Sequence, residues 1–203
     1  MLITDLDQFK KLGVDPEYPT DRRVLYSPID DVHEALRTIV ASCTKSLILS
    51  MYGFDDDELA GMIAHLLEQP NIYCQISLDR SQAGGVHERQ ILAKWKAEYE
   101  SNSVAIGNSE KGAIAHRKML VVDDLWVVTG STNWSESGES KQDNEMTVQQ
   151  NRVIASEARH ILDLSHSAML TQMAKRRPTY NLNVEPPKTA GMPGTSLNTH
   201  GND

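Results

Sequence analysis

Between Val24 and Asp79 the chain passes repeatedly from a short β-like run to a stretch of helical periodicity, and this alternation limits its fold more than any other feature. VLYSPIDD, from Val24, reads as a strand closing at Pro28. In VHEALRTIVASC the residues Val32, Ala35, Leu36, Ile39, Val40 and Cys43 share one helical stripe. SLILSMYGF, Ser46 to Phe54, is a second strand. DDDELAGMIAHLLEQ, Asp55 to Gln69, is a second amphipathic helix, with Asp55 as candidate N-cap and Glu58 three residues on. NIYCQISLD then alternates Ile72, Cys74, Ile76 and Leu78 against Tyr73, Gln75 and Ser77, as a third strand does.

The second half changes character. After the loop DRSQAGG, the spacing in VHERQILAKWKAEYE predicts a helix and SVAIG, Ser103 to Gly107, a strand. KMLVV and LWVVTG read as a hairpin turning at Asp123-Asp124, and EMTVQQ as a last strand. RVIASEARHILDLSHSAMLTQMAKR closes the domain as a long helix. Ile154, Ala158, Ile161, Leu164 and Ala168 step along one face of it, with Leu162, Met169 and Met173 beside them. Ser165 and His166 interrupt that apolar face. The expected class is α/β, a mixed β-sheet flanked by helices on both faces.

With 203 residues, 39% of them hydrophobic, the chain can bury one core, so a single domain over residues 21–175 is expected. Residues 1–20 are a weakly patterned N-terminal extension in which Leu2, Ile3, Leu6 and Phe9 could pack as a short helix. Residues 176–203, rich in Pro, Gly, Thr and Asn, read as a disordered tail. The two cysteines, Cys43 and Cys74, sit in apolar segments without a CxxC, as small buried hydrophobes in a reducing compartment would. No apolar run approaches the ~20 residues needed to span a bilayer, and the N-terminus lacks a signal-peptide pattern. A soluble cytoplasmic protein without stable membrane insertion is expected. The formal net charge of −8 is not that of a polyanion binder, so any phosphate site must build its positive field locally.

One stretch supplies that field: HRKMLVVDDLWVVTGSTNW, residues 116–134. On extended backbone His116 and Lys118 point to the same face, while Met119 to Val122 reads as buried strand. His116-x-Lys118 is followed by Asp123 and then by Gly130-Ser131-Thr132-Asn133. At ordinary residue frequencies such a set arises by chance on the order of one time in a million. It resembles the signature of the phospholipase D superfamily, whose members cut or transfer phosphodiester bonds, and the resemblance spans roughly residues 24–170. The matching length is that of single-motif members, notably small bacterial nucleases and the mitochondrial cardiolipin hydrolase/nuclease group.

The resemblance implies a homodimer, since a catalytic centre of that superfamily needs two His-Lys motifs facing each other. Of the other histidines, His33, His65, His87, His160, His166 and His200, none has Lys two residues on. It also implies roles. His116 attacks phosphorus to give a phosphohistidine, and the partner subunit's His116 protonates the leaving oxygen and then activates water. Lys118 of both subunits, with Ser131 and Asn133, surrounds the phosphoryl oxygens without metal or cofactor. Glu145 is the candidate to orient His116 through its Nδ1 proton, with Asp143 as the alternative. Asp123 completes the motif and holds the hairpin and the local charge balance. Nucleic acid, DNA ahead of RNA, is the expected substrate. A phospholipid such as cardiolipin or phosphatidylcholine is the alternative, and a catalytically inert nucleic-acid-binding module is the third reading.

Several residues have simpler explanations. The acidic run Asp55 to Glu58 fits helix capping better than a metal cluster. Arg117 points to the opposite strand face, and Trp126 and Trp134 are expected in the core or on a rim rather than under a base. His160 and His166 count as ordinary helix residues. Arg80 and Gly84-Gly85 suit a plain turn as well as the rim of a site, and Lys175 to Arg177 suit a helix C-terminus as well as a DNA backbone.

Overall fold

The β-runs of the sequence become strands, and those at the centre of the sheet, such as Ser46–Met51 and Tyr73–Asp79, are buried on both faces. The computed structural model describes residues 1–83, 92 and 102–176. The Gly84-Gly85 loop, the helix expected over residues 86–100 except Leu92, and the tail from residue 177 lie outside the described residues. The strands are β1 (Arg22–Ser27), β2 (Ser46–Met51), β3 (Tyr73–Asp79), β4 (Val104–Gly107), β5 (Lys118–Val122), β6 (Trp126–Gly130) and β7 (Asn144–Gln150). The helices are α1 (Val32–Ala41), α2 (Asp57–Leu67), α3 (Glu136–Ser140) and α4 (Arg152–Arg176). All seven strands join one sheet in the order β1-β7-β6-β5-β2-β3-β4. β2, β3 and β4 run parallel, and the pairings from β2 through β5, β6 and β7 to β1 are antiparallel. The sheet is therefore mixed.

Side-chain alternation assigns the two faces. Leu47, Leu49, Leu120, Val122, Trp126 and Val128 join α1 and α2 in the main core. Ile48, Val121 and Val127 point the other way and pack on Ala155, Ala158 and Leu162 of α4. Helices thus cover both faces. The N-terminal extension joins the main core as well: residues Ile3–Phe9 form a 3-10 helix whose Ile3 and Leu6 are buried. Cys43 and Cys74 are buried free thiols, and burial, then the nearby Asp123 carboxylate, pushes the Cys43 thiol up to about 12.

Two expectations need correction. The N-cap of α2 is Asp56, whose side chain accepts from the Leu59 amide at 2.7 Å, and not Asp55. The chain stays extended one residue longer because both the Asp55 and Asp56 amides donate to the carbonyl of Trp134. In α4 the buried face is Ala155, Ala158, Leu162, His166, Met169 and Met173, whereas Ile161 and Leu164 are 38% and 53% exposed. His166 does not break this face but centres it. Its Nδ1 lies 3.0 Å from the Ser77 hydroxyl and its Nε2 lies 2.8 Å from the Asn102 carbonyl. The polar positions of β3 meet the polar positions of α4, since Gln75 also donates to Asp163 at 3.0 Å. Burial pushes the His166 imidazole down to about 4.

Candidate active site

β5 enters the sheet next to β2, with Lys118 opposite Met51. Residues on either side of that pairing form the site. Lys118 is the first residue of β5, and His116 sits just before the strand, exposed to solvent. Two residues of extended backbone still bring the pair to one face: Lys118 Nζ lies 2.9 Å from His116 Nε2 and 3.2 Å from the His116 carbonyl. An ammonium has only protons to give, so this contact makes Nε2 the unprotonated ring nitrogen and leaves the proton on Nδ1. Nε2 thus carries the free lone pair of the ring.

Tyr52, which continues the chain from β2, forms the wall behind the pair. Its ring meets the His116 ring edge-on at 4.5 Å between centroids, and Lys118 Nζ sits 4.9 Å above it. Lys118 is only 8% exposed. Desolvation lowers its pKa. A half-dehydrated ammonium interacts with an incoming anion more strongly than one in bulk water.

The backbone before His116 is pinned by Asp79. This residue ends β3, is fully buried, and accepts from the Ala115 amide at 2.5 Å as well as from the Ser81 amide and hydroxyl. Neither Tyr52 nor Asp79 was singled out by sequence reasoning. The signal available was the place of Asp79 at the end of the strand NIYCQISLD and of Tyr52 near the end of SLILSMYGF.

Gly130 ends β6 with φ of +154°, and a Cβ there would collide with the Glu145 carbonyl. The close approach turns Ser131 into the site, where its hydroxyl accepts from the Glu145 amide at 3.1 Å and donates to Asn144 Oδ1 at 2.9 Å. His116, Lys118, Thr129, Gly130, Ser131, Glu145 and Thr147 line an open cleft of about 430 Å³. Glu145 shares the cleft, but its carboxylate makes no hydrogen bond to His116 among the described residues. Asn133 is not among the residues that line the cleft; it packs against Gly53, with its Oδ1 buried and unpaired. Asp143 is exposed.

Asp123 is not brought to the cleft. It occupies the far end of β5, in a turn where it and Asp124 have φ of +54° and +50°. Its carboxylate accepts from the amides of Thr44, Lys45 and Ser46 and from the Thr44 hydroxyl. Arg117 points away from His116, as expected, and donates to Ser165 of α4 at 2.6 Å. Trp126 and Trp134 are core residues, 4% and 2% exposed, and Trp134 packs edge-on against Phe54. No described helix is long and apolar enough to cross a membrane.

The sequence profile described as "Cardiolipin synthase, PLD-like domain" matches residues 36–164. Among solved structures, the chain is similar to Nuc, a phospholipase D family member from Salmonella typhimurium. That likeness has a TM-score of 0.61 and 18% identity and covers 71% of this chain and 92% of that one. NucT from Helicobacter pylori gives a TM-score of 0.60 and 17% identity over 72% of this chain and 96% of that one. The phosphatidylserine synthase of Haemophilus influenzae gives 0.54 and 15% over 80% of this chain but 43% of that one. No curated protein sequence matches. At such identities the structures speak for the fold alone. The profile, in contrast, covers more than half of the sequence, and the chain belongs to the phospholipase D superfamily as a PLD-like domain.

Proposed function

We propose that the protein is a metal-independent phosphodiesterase that hydrolyses nucleic-acid phosphodiester bonds, DNA ahead of RNA, in a homodimeric site through a phosphohistidine. The observation that carries this reading is the 2.9 Å contact between Lys118 Nζ and His116 Nε2 in an open cleft shared with Ser131. A phosphodiester entering the cleft would draw the Lys118 ammonium onto its oxygens and free the Nε2 lone pair for attack on phosphorus. The P–Nε2 bond forms as the P–O bond to the leaving group breaks. The leaving oxygen takes its proton from the partner subunit's His116, which then removes a proton from the water that cleaves the P–N bond.

Asn133 supplies an amide near the phosphoryl oxygens, and Glu145 orients the His116 ring once substrate tightens the cleft. Asp123 acts at a distance, by holding the hairpin that starts at Lys118. The preference for nucleic acid rests on the resemblance to small single-motif bacterial nucleases. The chain also spans nearly all of Nuc and NucT but under half of the phosphatidylserine synthase.

One observation favours a lipid substrate instead. Exposed Ile161 and Leu164 line a groove of about 590 Å³ that also includes Ala115 and Arg117, the neighbours of His116. Such a groove could take an acyl chain.

The test is cleavage of single-stranded DNA, double-stranded DNA and a labelled phospholipid in excess EDTA, by wild type and by His116→Asn. DNA cleavage that survives EDTA and disappears in the variant is the expected result. Turnover of lipid alone would transfer the site to phospholipid chemistry. Activity abolished by EDTA, or untouched by the substitution, would overturn the mechanism.

A further inference from the structure

A second cluster of chemistry-bearing side chains lies on the α1/α2 face of the sheet, and none of its members lines the cleft at His116. His33 comes from the first turn of α1, Asp56 caps α2, and Glu139 belongs to α3. His33 Nδ1 lies 2.6 Å from Glu139 Oε2 and 3.1 Å from Asp56 Oδ2. All three offered ligand atoms fall within 4.8 Å of one another. Tetrahedral bonds of ~2.1 Å to one ion would set such atoms ~3.4 Å apart, so the 2.6 Å His33–Glu139 contact would open by roughly 0.8 Å to admit it.

Three further features point to a cation rather than to a simple ion pair. Glu139 is 3% exposed, and its Oε1 is buried with no hydrogen-bond partner. That oxygen is an acceptor without a donor at the cluster, which a metal bond would satisfy. Next, the opposite ring nitrogen of His33 is already held, since Nε2 lies 3.1 Å from Glu58 Oε2, and Arg37 Nε holds the other Glu58 oxygen at 2.7 Å. A carboxylate on the far nitrogen is the usual outer partner of a metal-bound imidazole. Finally, the cluster sets one imidazole beside two carboxylates, a mixed nitrogen and oxygen donor set of the kind that first-row transition metals take.

We propose that His33 Nδ1, Asp56 and Glu139 bind one divalent transition-metal cation, which ties α1, α2 and α3 together. One imidazole with two carboxylates suits Zn²⁺ or a neighbouring first-row ion better than Mg²⁺ or Ca²⁺, which prefer oxygen alone. The ion takes no part in bond cleavage. Its place is beside the loop Ser131 to Ser135, which leads into α3, where a Cβ on Gly138 would strike the Asn133 carbonyl.

The experiment uses the untagged full chain, stripped with EDTA and desalted. Zn²⁺ is then titrated against a chromophoric chelator, and thermal midpoints are recorded with and without the ion. Wild type and His116→Asn are expected to bind about one Zn²⁺ per chain and to melt higher with it. Glu139→Gln and His33→Gln should bind at least about tenfold more weakly and show no rise in midpoint. Glu139→Gln should also melt cooperatively without metal, because burial favours the neutral form of this group. Equal binding by wild type and the two cluster variants, loss of binding in His116→Asn, or binding well below one ion per chain would each overturn the proposal.

Discussion

Lys118 stands where the core meets solvent, and its two surroundings have separable consequences. The side chain is buried and its ammonium partly desolvated, so Lys118→Met keeps the packing while removing the charge. Cleavage by this variant is expected to fall by at least about a hundredfold. Its urea midpoint should be unchanged or higher, because a poorly solvated charge has been removed. Kinetics and a denaturation curve on the same preparation check both. Asp123 should behave in the opposite way. Burial alone would raise its pKa, but hydrogen bonds from Ser46, Thr44 and Lys45 outweigh that and hold the carboxyl below the usual carboxylate range. Asp123→Ala strands those donors and is expected to cost roughly 2–4 kcal/mol of stability, while the folded fraction still cleaves substrate. A large loss of activity per folded molecule would instead place Asp123 in the chemistry.

At the level of elements, the pairing of α4 with β3 makes the fold acid-sensitive. His166 is neutral in the folded chain with its pKa lowered to about 4, while an unfolded histidine titrates at about 6.5. Between those values the unfolded chain binds the extra proton, so the stability contributed above pH 6.5 drains away as pH falls toward 4, by at most about 3 kcal/mol. Urea midpoints across that window should decline in wild type and less steeply in His166→Gln. A parallel decline would assign the acid sensitivity elsewhere. The same pair shows where sequence legibility ends. The extent of α4 and the hairpin at Asp123-Asp124 were readable from periodicity and turn chemistry. The buried face of α4 was not, because His166 counts as polar until Ser77 and the Asn102 carbonyl arrive from distant parts of the chain. In the site, His116, Lys118 and Ser131 were legible because they fall in one short stretch of sequence, at the open end of the hairpin that β5 and β6 form. Asp79 and Tyr52 act only through where β3 and β2 happen to end beside β5, and no spacing encodes that.

For the whole molecule, the proposed mechanism, with a single His-Lys pair in each chain, requires an oligomer. The solution mass from light scattering is expected to be twice that of the chain. Mixing wild type with excess His116→Asn, under conditions that exchange subunits, should depress activity below simple dilution; a monomer insensitive to the inactive chain would refute the two-subunit site. The sheet order carries a different consequence, one of timing. β1 pairs with β7, and β7 also supplies Glu145 and Thr147 to the cleft. At ~5–20 residues per second a ribosome finishing β1 needs roughly 6–24 s more to begin β7. Throughout that interval the nascent chain has neither a partner for its first strand nor a closed cleft. The edge of β1 is then open to chaperones or to a neighbouring chain, and the cleft at His116 is assembled only when synthesis of the domain is nearly complete.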